Sequence, residues 1–247
     1  MNSPAQECEL SVVLPAYKEE QALGNLLPSL IQQLETLGVP WEILVVDAER
    51  AMDDTAEVCR RFGVRHVYRT GGNSYGDAIR TGFQESLGAF VLVMDADGSH
   101  RPADVPRLWQ RRHDAEIVIG SRYSPGGNTE NSAILILMSF AVNLVYRLVF
   151  RLPIRDVTNS FRLYRGVQVR SLKLVSDNFE LVEEILIGLV FGRAKSSYVE
   201  VPVTFEKRKS GKSKRNLVLF AISYVKSIRR LYAFRRRALA ESGQEVN

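Results

Sequence analysis

The sharpest chemical feature of the sequence is Asp95-Ala96-Asp97, which directly follows the apolar run FVLVM and so places two carboxylates at the carboxyl end of a strand. Two like charges set there need a cation. An Asp-x-Asp pair suits Mg2+ or Mn2+, whose hard, octahedral preference is met by carboxylates together with the oxygens of a diphosphate. Such an ion offsets charge developing on a departing nucleotide. Taken alone, the same residues also read as a solvated turn formed at Asp97-Gly98.

Two other groups carry chemical potential. Residues 207–214, KRKSGKSK, put basic side chains on a Gly/Ser-containing segment that can order over bound phosphates and exclude water. The plain alternative is a solvated basic surface loop. Glu183 and Glu184 are the natural general bases if the acceptor is a hydroxyl, and are otherwise acidic residues early in a helix, favoured by its dipole.

These groups need a scaffold, and the first 120 residues supply one by alternating short β-rich runs with helical patterns, the signature of a doubly wound parallel sheet. Strands are expected at residues 10–14, 42–47, 64–68, 89–95 and 116–120, with helices at 19–37, 53–62, 75–87 and 103–112. Ligands of such sheets bind beyond the carboxyl ends of the strands. After Gly120 the rhythm changes to a turn-rich segment, an apolar helix at 133–150, a strand at 160–164, a helix at 179–191, a strand at 198–205 and a basic amphipathic helix at 215–239. No repeat or linker divides the chain, so a single domain spanning residues 1–247 is expected.

Composition limits the partners. The 247 residues are 45% hydrophobic, which excludes disordered, collagen-like and disulfide-scaffold classes. The net charge of +5 conceals a division: residues 1–127 hold 12 basic and 18 acidic groups, and the second half carries the positive charge. A membrane surface or a phosphorylated ligand answers that charge as well as nucleic acid does. Cys8 and Cys59 form no framework, and the start MNSPAQECEL has no basic or apolar leader region, so a cytosolic chain is expected. Gly71, Gly72 and Gly76 make no dinucleotide fingerprint, Gly211-Lys212-Ser213 lacks the upstream glycine of a P-loop, and the three histidines have no zinc spacing. His100, beside the acidic pair, reads as a surface histidine.

The ordered set VVLPAYKEE, LVVD, GGNSYGDAIRTGF, MDADGSHRP, GSRYSPGG, VTNSFRLYR, FELVEEIL and EVPVTFEKRKSGKSK resembles the family 2 glycosyltransferases of GT-A fold, and among them the dolichol- and polyprenyl-phosphate mannosyltransferases. The resemblance runs from about residue 10 to residue 214. It implies an inverting, divalent-metal-dependent transfer of a sugar, mannose favoured, from a nucleotide-diphosphate donor to a polyprenyl or dolichyl phosphate. GDP-mannose is the favoured donor and a UDP-sugar the other possibility; nucleic acid drops out as a partner. By the same resemblance Pro15, Tyr17, Glu19 and Asp47 hold the nucleotide, Asp95 and Asp97 bind the metal and diphosphate, and Ser99 adds a weaker ligand where many relatives have Gln. Arg122 approaches the acceptor phosphate, Glu184 matches a recurrent acidic position, and Arg208, Ser213 and Lys214 close over the donor phosphates. Residues 10–127 thus form the nucleotide-sugar and metal part, and 128–247 the acceptor and membrane-facing part.

The chain also departs from that pattern. Relatives follow the second strand with Asp-Asp-x-Ser, whereas here the run is Asp47-Ala48-Glu49-Arg50, and Lys18 stands where Asn is usual. These changes leave base identity open. They keep alive a UDP-sugar enzyme acting on a hydroxyl and a degenerate, non-catalytic nucleotide-binding partner protein.

Two helices suggest how a lipid is reached. Residues 133–150 are more apolar than a globular surface helix but contain Asn143 and Arg147. Leu217, Phe220, Tyr224, Ile228, Leu231 and Tyr232 form a stripe opposite Lys226, Arg229, Arg230 and Arg235 to Arg237. Both read as interfacial helices holding the protein peripherally on the cytosolic membrane face, with simple covering of the sheet as the alternative.

Overall fold

The computed structural model describes residues 7–193, 195–207 and 217–241. In chain order its elements are β1 (Leu10–Pro15), α1 (Glu20–Glu35), β2 (Trp41–Asp47), α2 (Thr55–Phe62), β3 (Arg65–Tyr68), α3 (Tyr75–Glu85), β4 (Phe90–Val93), a 3-10 turn (Pro102–Asp104), α4 (Val105–Gln110) and β5 (Ile117–Ser121). There follow β6 (Asn128–Thr129), α5 (Ala133–Phe150), β7 (Arg162–Arg165), α6 (Gly166–Arg170), α7 (Leu181–Phe191), β8 (Tyr198–Pro202), β9 (Thr204–Phe205) and α8 (Leu217–Glu241).

Seven strands form one sheet in the order β3-β2-β1-β4-β7-β5-β8. All neighbours are parallel except β7, which runs antiparallel between β4 and β5. Because β7 and β8 come from the second half of the chain, the sheet itself joins the two halves. Its strands are apolar on both faces, as a sheet covered on each side requires: β1 and β4 are buried almost throughout.

Each face has its own core. On one, Leu23, Leu26, Leu27, Leu30 and Leu34 of α1 pack on β1, β2 and β4 with Trp109 of α4, each fully buried leucine contributing about 1.5–3 kcal/mol. On the other, Ala78, Ile79 and Phe83 of α3 share a core with Tyr146 and Phe150 of α5 and the apolar residues of α7. Gly82 lets α3 lie close on the sheet, since a Cβ there would come within 2.4 Å of Val13 Cγ1. A capping box starts α3: Ser74 Oγ accepts from Asp77 N and the Asp77 carboxylate accepts from Ser74 N, worth about 1 kcal/mol.

The strand expected over 198–205 is divided. β8 pairs with β5, and then β9 leaves to pair with β6. Pro202, with no N–H to give, stands at the change of partner.

The two apolar helices differ in what they cover. On α8, Tyr224 and Leu231 are buried, Ile228 packs against the second core, and Arg235 is buried over the Phe191 ring. That part of the stripe is taken up by protein, and only Tyr232 of the stripe residues described there is exposed. The expectation of an outward apolar face on α8 is corrected to this extent, because α7 and α5 supply the apolar surface it meets. Side chains of Leu217 and Phe220 lie outside the description. Helix α5 holds to the body through Asn143, Tyr146 and Phe150, while Ile134, Leu137, Phe140, Leu144 and Leu148 are exposed.

Candidate functional site

The carboxyl ends of β1, β2 and β4 meet at one edge, and a buried arginine ties two of them together. Arg69 Nε donates to Asp47 O at 2.8 Å, its Nη1 to Asn73 O and Ser74 O, and its Nη2 to Ala16 O and Val46 O. Burial lowers its pKa, with the charges of Asp47 and Asp77 acting in the opposite direction. The guanidinium therefore sets the strand ends that carry Pro15, Tyr17 and Asp47. Tyr17 is partly exposed, its ring centroid 5.9 Å from the Arg69 guanidinium carbon. Lys18 follows in the left-handed region at φ 58°, which Asn occupies more readily. Glu19 opens α1, its carbonyl accepting from Leu23 N. Asp47 is buried, with Oδ1 accepting from Ala48 N at 2.7 Å and Oδ2 lying 3.2 Å from His66 Nε2.

Asp95 and Asp97 stand just past β4. Asp95 Oδ1 accepts from Ser160 Oγ at 3.1 Å, and the Asp95 N–H donates to His100 Nδ1 at 3.0 Å. His100 Nε2 lies 3.0 Å from Asn159 Oδ1, and Asn159 Nδ2 donates to Gly120 O. This chain of bonds assigns the His100 ring proton to Nε2. His100 is only 1% exposed and stacks on Phe161, so the expected surface histidine is instead a buried strut under the acidic loop. Tyr75 stacks on Phe179 with centroids 4.7 Å apart, and its hydroxyl is pushed well above its ordinary pKa by burial and then by the Asp95 charge.

Asp97 Oδ1 accepts from Ser99 N at 2.9 Å. Ser99 Oγ is buried without a hydrogen-bond partner among the described residues. No three carboxylate, imidazole or thiol side chains among those residues form a metal-ligand group. Mg2+ and Mn2+ at phosphate sites commonly use one or two carboxylates and take their other ligands from phosphate and water. Asp95, Asp97 and the orphaned Ser99 hydroxyl fit that mode.

The acidic loop also meets the segment leading into the basic stretch. Glu206 N donates to Ser99 O at 2.8 Å, Arg101 Nε pairs with Glu206 at 3.3 Å, and His100 bridges to Phe205. Arg208, Ser213 and Lys214 themselves lie outside the described residues, but the chain approaches them from beside Ser99. A cleft of about 200 Å3 borders this place, with Asp97, Gly98, Arg101 and Glu206 facing Asn25 and Gln33 of α1.

Arg122 and Glu184 have well-defined partners elsewhere. Arg122 makes a two-point pair with Asp156 and donates to Thr158 Oγ1 at 2.7 Å and to Ser139 Oγ of α5 at 3.2 Å. Burial opposes its charge, but Asp156 outweighs it and raises the Arg122 pKa. Glu184 accepts from Val175 N and Ser176 N and pairs with Arg230 of α8 at 3.2 Å. It thereby holds the loop that carries Phe179 against Tyr75. Glu183 is fully buried, accepts from Tyr224 Oη at 3.1 Å, and has its pKa pushed up to about 8 by burial.

Sequence reasoning did not single out Asp156, Asn159, Ser160, Tyr75, Phe179 or Arg69. The first three lie in or beside VTNSFRLYR, and their partners are 34 to 65 residues away. No local pattern announces such pairs.

A mostly parallel sheet with one antiparallel strand, flanked by helices and carrying paired carboxylates past a central strand, defines a GT-A-type transferase domain. Comparison agrees. Glucosyl-3-phosphoglycerate synthase from Mycobacterium tuberculosis, in a complex with Mn2+, UDP and phosphoglyceric acid, superposes with a TM-score of 0.68 at 20% identity, covering 92% of this chain and 78% of that one. The family model "Glycosyl transferase family 2" matches residues 11–176. A dolichol-phosphate mannosyltransferase of Pyrococcus furiosus is 33% identical over 215 residues, 83% of this chain, which spans 59% of that protein's length. An undecaprenyl-phosphate mannosyltransferase of Micrococcus luteus is 32% identical, covering 82% of this chain and 85% of its own. A dolichol-phosphate mannosyltransferase of Saccharomyces cerevisiae is 27% identical, covering 92% and 88%. The chain belongs to glycosyl transferase family 2, and it is a glycosyltransferase.

Proposed function

We propose that this enzyme transfers mannose, with inversion, from a nucleotide-diphosphate donor, GDP-mannose favoured, to a polyprenyl or dolichyl phosphate. The observation that carries the reading is the junction of two segments: Asp95 to Ser99 past β4, and Glu206 hydrogen-bonded to Ser99 O where the chain enters its basic stretch. Negative charge on a diphosphate is then met by a carboxylate-held cation on one side and by Arg208, Ser213 and Lys214 on the other. The relatives named for polyprenol-type phosphate acceptors support the choice of acceptor.

In this reading Pro15, Tyr17, Glu19 and Asp47 hold the nucleotide, on strand ends that Arg69 keeps in place. Mg2+ or Mn2+ on Asp95, Asp97 and Ser99 would supply charge neutralisation for the leaving diphosphate. A phosphate monoester acceptor is already anionic at neutral pH, so it attacks without a strong general base, and positioning dominates. Arg122 would orient the acceptor, its own plane set by Asp156 and Thr158. Glu184 contributes by holding the loop of Phe179. Residues 1–247 act as one domain, with 10–127 binding donor and metal and 128–247 facing acceptor and membrane. The protein sits peripherally on the cytosolic membrane face through the exposed side of α5.

A panel of labelled nucleotide sugars, offered with a polyprenyl phosphate and Mg2+ or Mn2+, tests this. Organic-phase product from GDP-mannose, lost in chelator, is expected. Product from no donor, or undiminished product in chelator, defeats the proposal. The altered run Asp47-Ala48-Glu49-Arg50 leaves the base open, so a UDP-sugar enzyme acting on a hydroxyl acceptor is the second reading, and the same panel reports the donor.

A further inference from the structure

A small pocket with two arginines in its lining lies along α5. It has a volume of about 210 Å3 and is lined by Tyr123, Phe140, Asn143, Leu144, Arg147 and Arg155. It is about as large as the cleft of about 200 Å3 beside Asp97, so its lining and not its size decides what it holds. None of Asp95, Asp97 and Ser99 lines it.

Its chemistry selects an anion. Arg147 and Arg155 are exposed, and among the described residues neither guanidinium makes an ion pair, while the Arg155 backbone N–H donates to the Glu200 carboxylate at 3.0 Å. Asn143 is 2% exposed; its Oδ1 accepts from Val157 N at 2.9 Å, while its Nδ2 is buried with no hydrogen-bond partner. Two arginines and Asn143, whose amide donor is unmatched, therefore line one small pocket that contributes no carboxylate. Guanidinium groups recognise phosphate oxygens in pairs and lose less on desolvation than ammonium does.

The rim selects what carries the anion. Phe140 and Leu144 of the wall are 55% and 43% exposed, and Leu137 and Leu148 on the same helix are each 69% exposed. Apolar side chains of this size beside a cationic pocket match an amphiphile, with its phosphate in the pocket and its chains along α5. We propose that Arg147, Arg155 and Asn143 bind the phosphate headgroup of an anionic bilayer phospholipid and so fix α5, and the Arg122 to Ser139 contact behind it, in the interface. The inference rests on the membrane-facing reading of α5 and adds a particular headgroup site to it.

The test is co-sedimentation of the full chain with phosphatidylcholine vesicles, with vesicles doped with phosphatidylglycerol, and with vesicles doped with a polyprenyl phosphate. Variants are Arg147→Gln with Arg155→Gln, and, as a charge-matched control, Arg229→Gln with Arg236→Gln on α8, both exposed. The expected result is tighter wild-type binding to phosphatidylglycerol vesicles than to neutral ones. The pocket pair should lower that binding by roughly ten- to thirty-fold, with neutral-vesicle binding retained and the control pair losing much less. Competition by inorganic phosphate in the millimolar range supports a phosphate site; the apolar rim predicts that it stays weaker than the lipid. Equal losses in both variant pairs mean diffuse attraction and overturn the site. A loss confined to polyprenyl-phosphate vesicles, with a raised KM for that acceptor, assigns the pocket to the acceptor and also overturns it. Failure of the wild type to bind any vesicle removes the membrane reading itself, a result distinct from loss of headgroup preference.

Discussion

Asp156 and Arg122 form a buried pair, with Asp156 fully buried and bonded to Arg122 Nη2 at 2.7 Å, to Nε at 2.8 Å and to the Arg122 backbone N–H at 2.9 Å. The carboxylate fixes both the side-chain plane and the main chain of a residue 34 positions away. Thr158 and Ser139 take two further contacts, so the guanidinium, just past β5, is held from the loop before β7 and from α5.

Replacing Asp156 by Asn should therefore cost stability and activity together. Breaking a buried pair by removing one partner typically costs about 3–5 kcal/mol. Urea unfolding should show a loss of that order, with transfer falling even where the variant is folded. Burial alone would raise the Asp156 pKa, but Arg122 prevails and lowers it. Its contribution to stability is thus present above the ordinary carboxylate range and lost as pH falls through the depressed native value. The acid limb of a Tm-against-pH curve should flatten in Asp156→Asn.

Asp97→Ala should abolish transfer by about a thousand-fold or more, the scale of losing a group that stabilises transition-state charge, with the circular dichroism unchanged. Asp97 is buried in the acidic loop, where its Oδ1 accepts from Ser99 N. Calorimetry with Mn2+ and a nucleoside diphosphate should lose the metal-dependent part of binding. Retained turnover would remove Asp97 from the site.

Glu183 supplies a pH signature of opposite sign. Its native pKa of about 8 lies above the ordinary 4.5 because burial favours the neutral acid. Between those values the folded state holds a proton that the unfolded chain has lost, so stability falls as pH rises from about 4.5 to about 8. Arg162, Glu180 and Tyr224 all act on this group. Glu183→Gln should remove the slope, leaving a variant that gains stability relative to wild type toward pH 8, measured by denaturant midpoints across the range.

Arg69→Lys keeps the charge but cannot reach the carbonyls of Ala16, Val46, Asp47, Asn73 and Ser74 together. Leaving buried carbonyls unmatched costs about 1–3 kcal/mol each where water cannot enter. A lowered Tm and a weaker donor affinity are expected, the latter read as KM for the nucleotide sugar.

The amino-acid sequence by itself determined most strands and most helices, because apolar runs bounded by turn residues and leucines at helical spacing are local signals. It also placed Asp95 and Asp97, since a carboxylate pair after an apolar run stands at the end of a strand wherever that strand lies in the sheet. Only the tertiary structure decided that Asp95 meets Ser160 and that Arg122 meets Asp156, for hydrogen bonds across 65 and 34 residues leave no periodic trace. It also decided the fate of two similar stripes. Tyr224 and Leu231 of α8 found apolar partners on α7 and α5 and went inside, while the leucines on the outer side of α5 stay exposed. Amphipathic spacing states that a face seeks an apolar neighbour; which neighbour it meets depends on the packing of the whole chain.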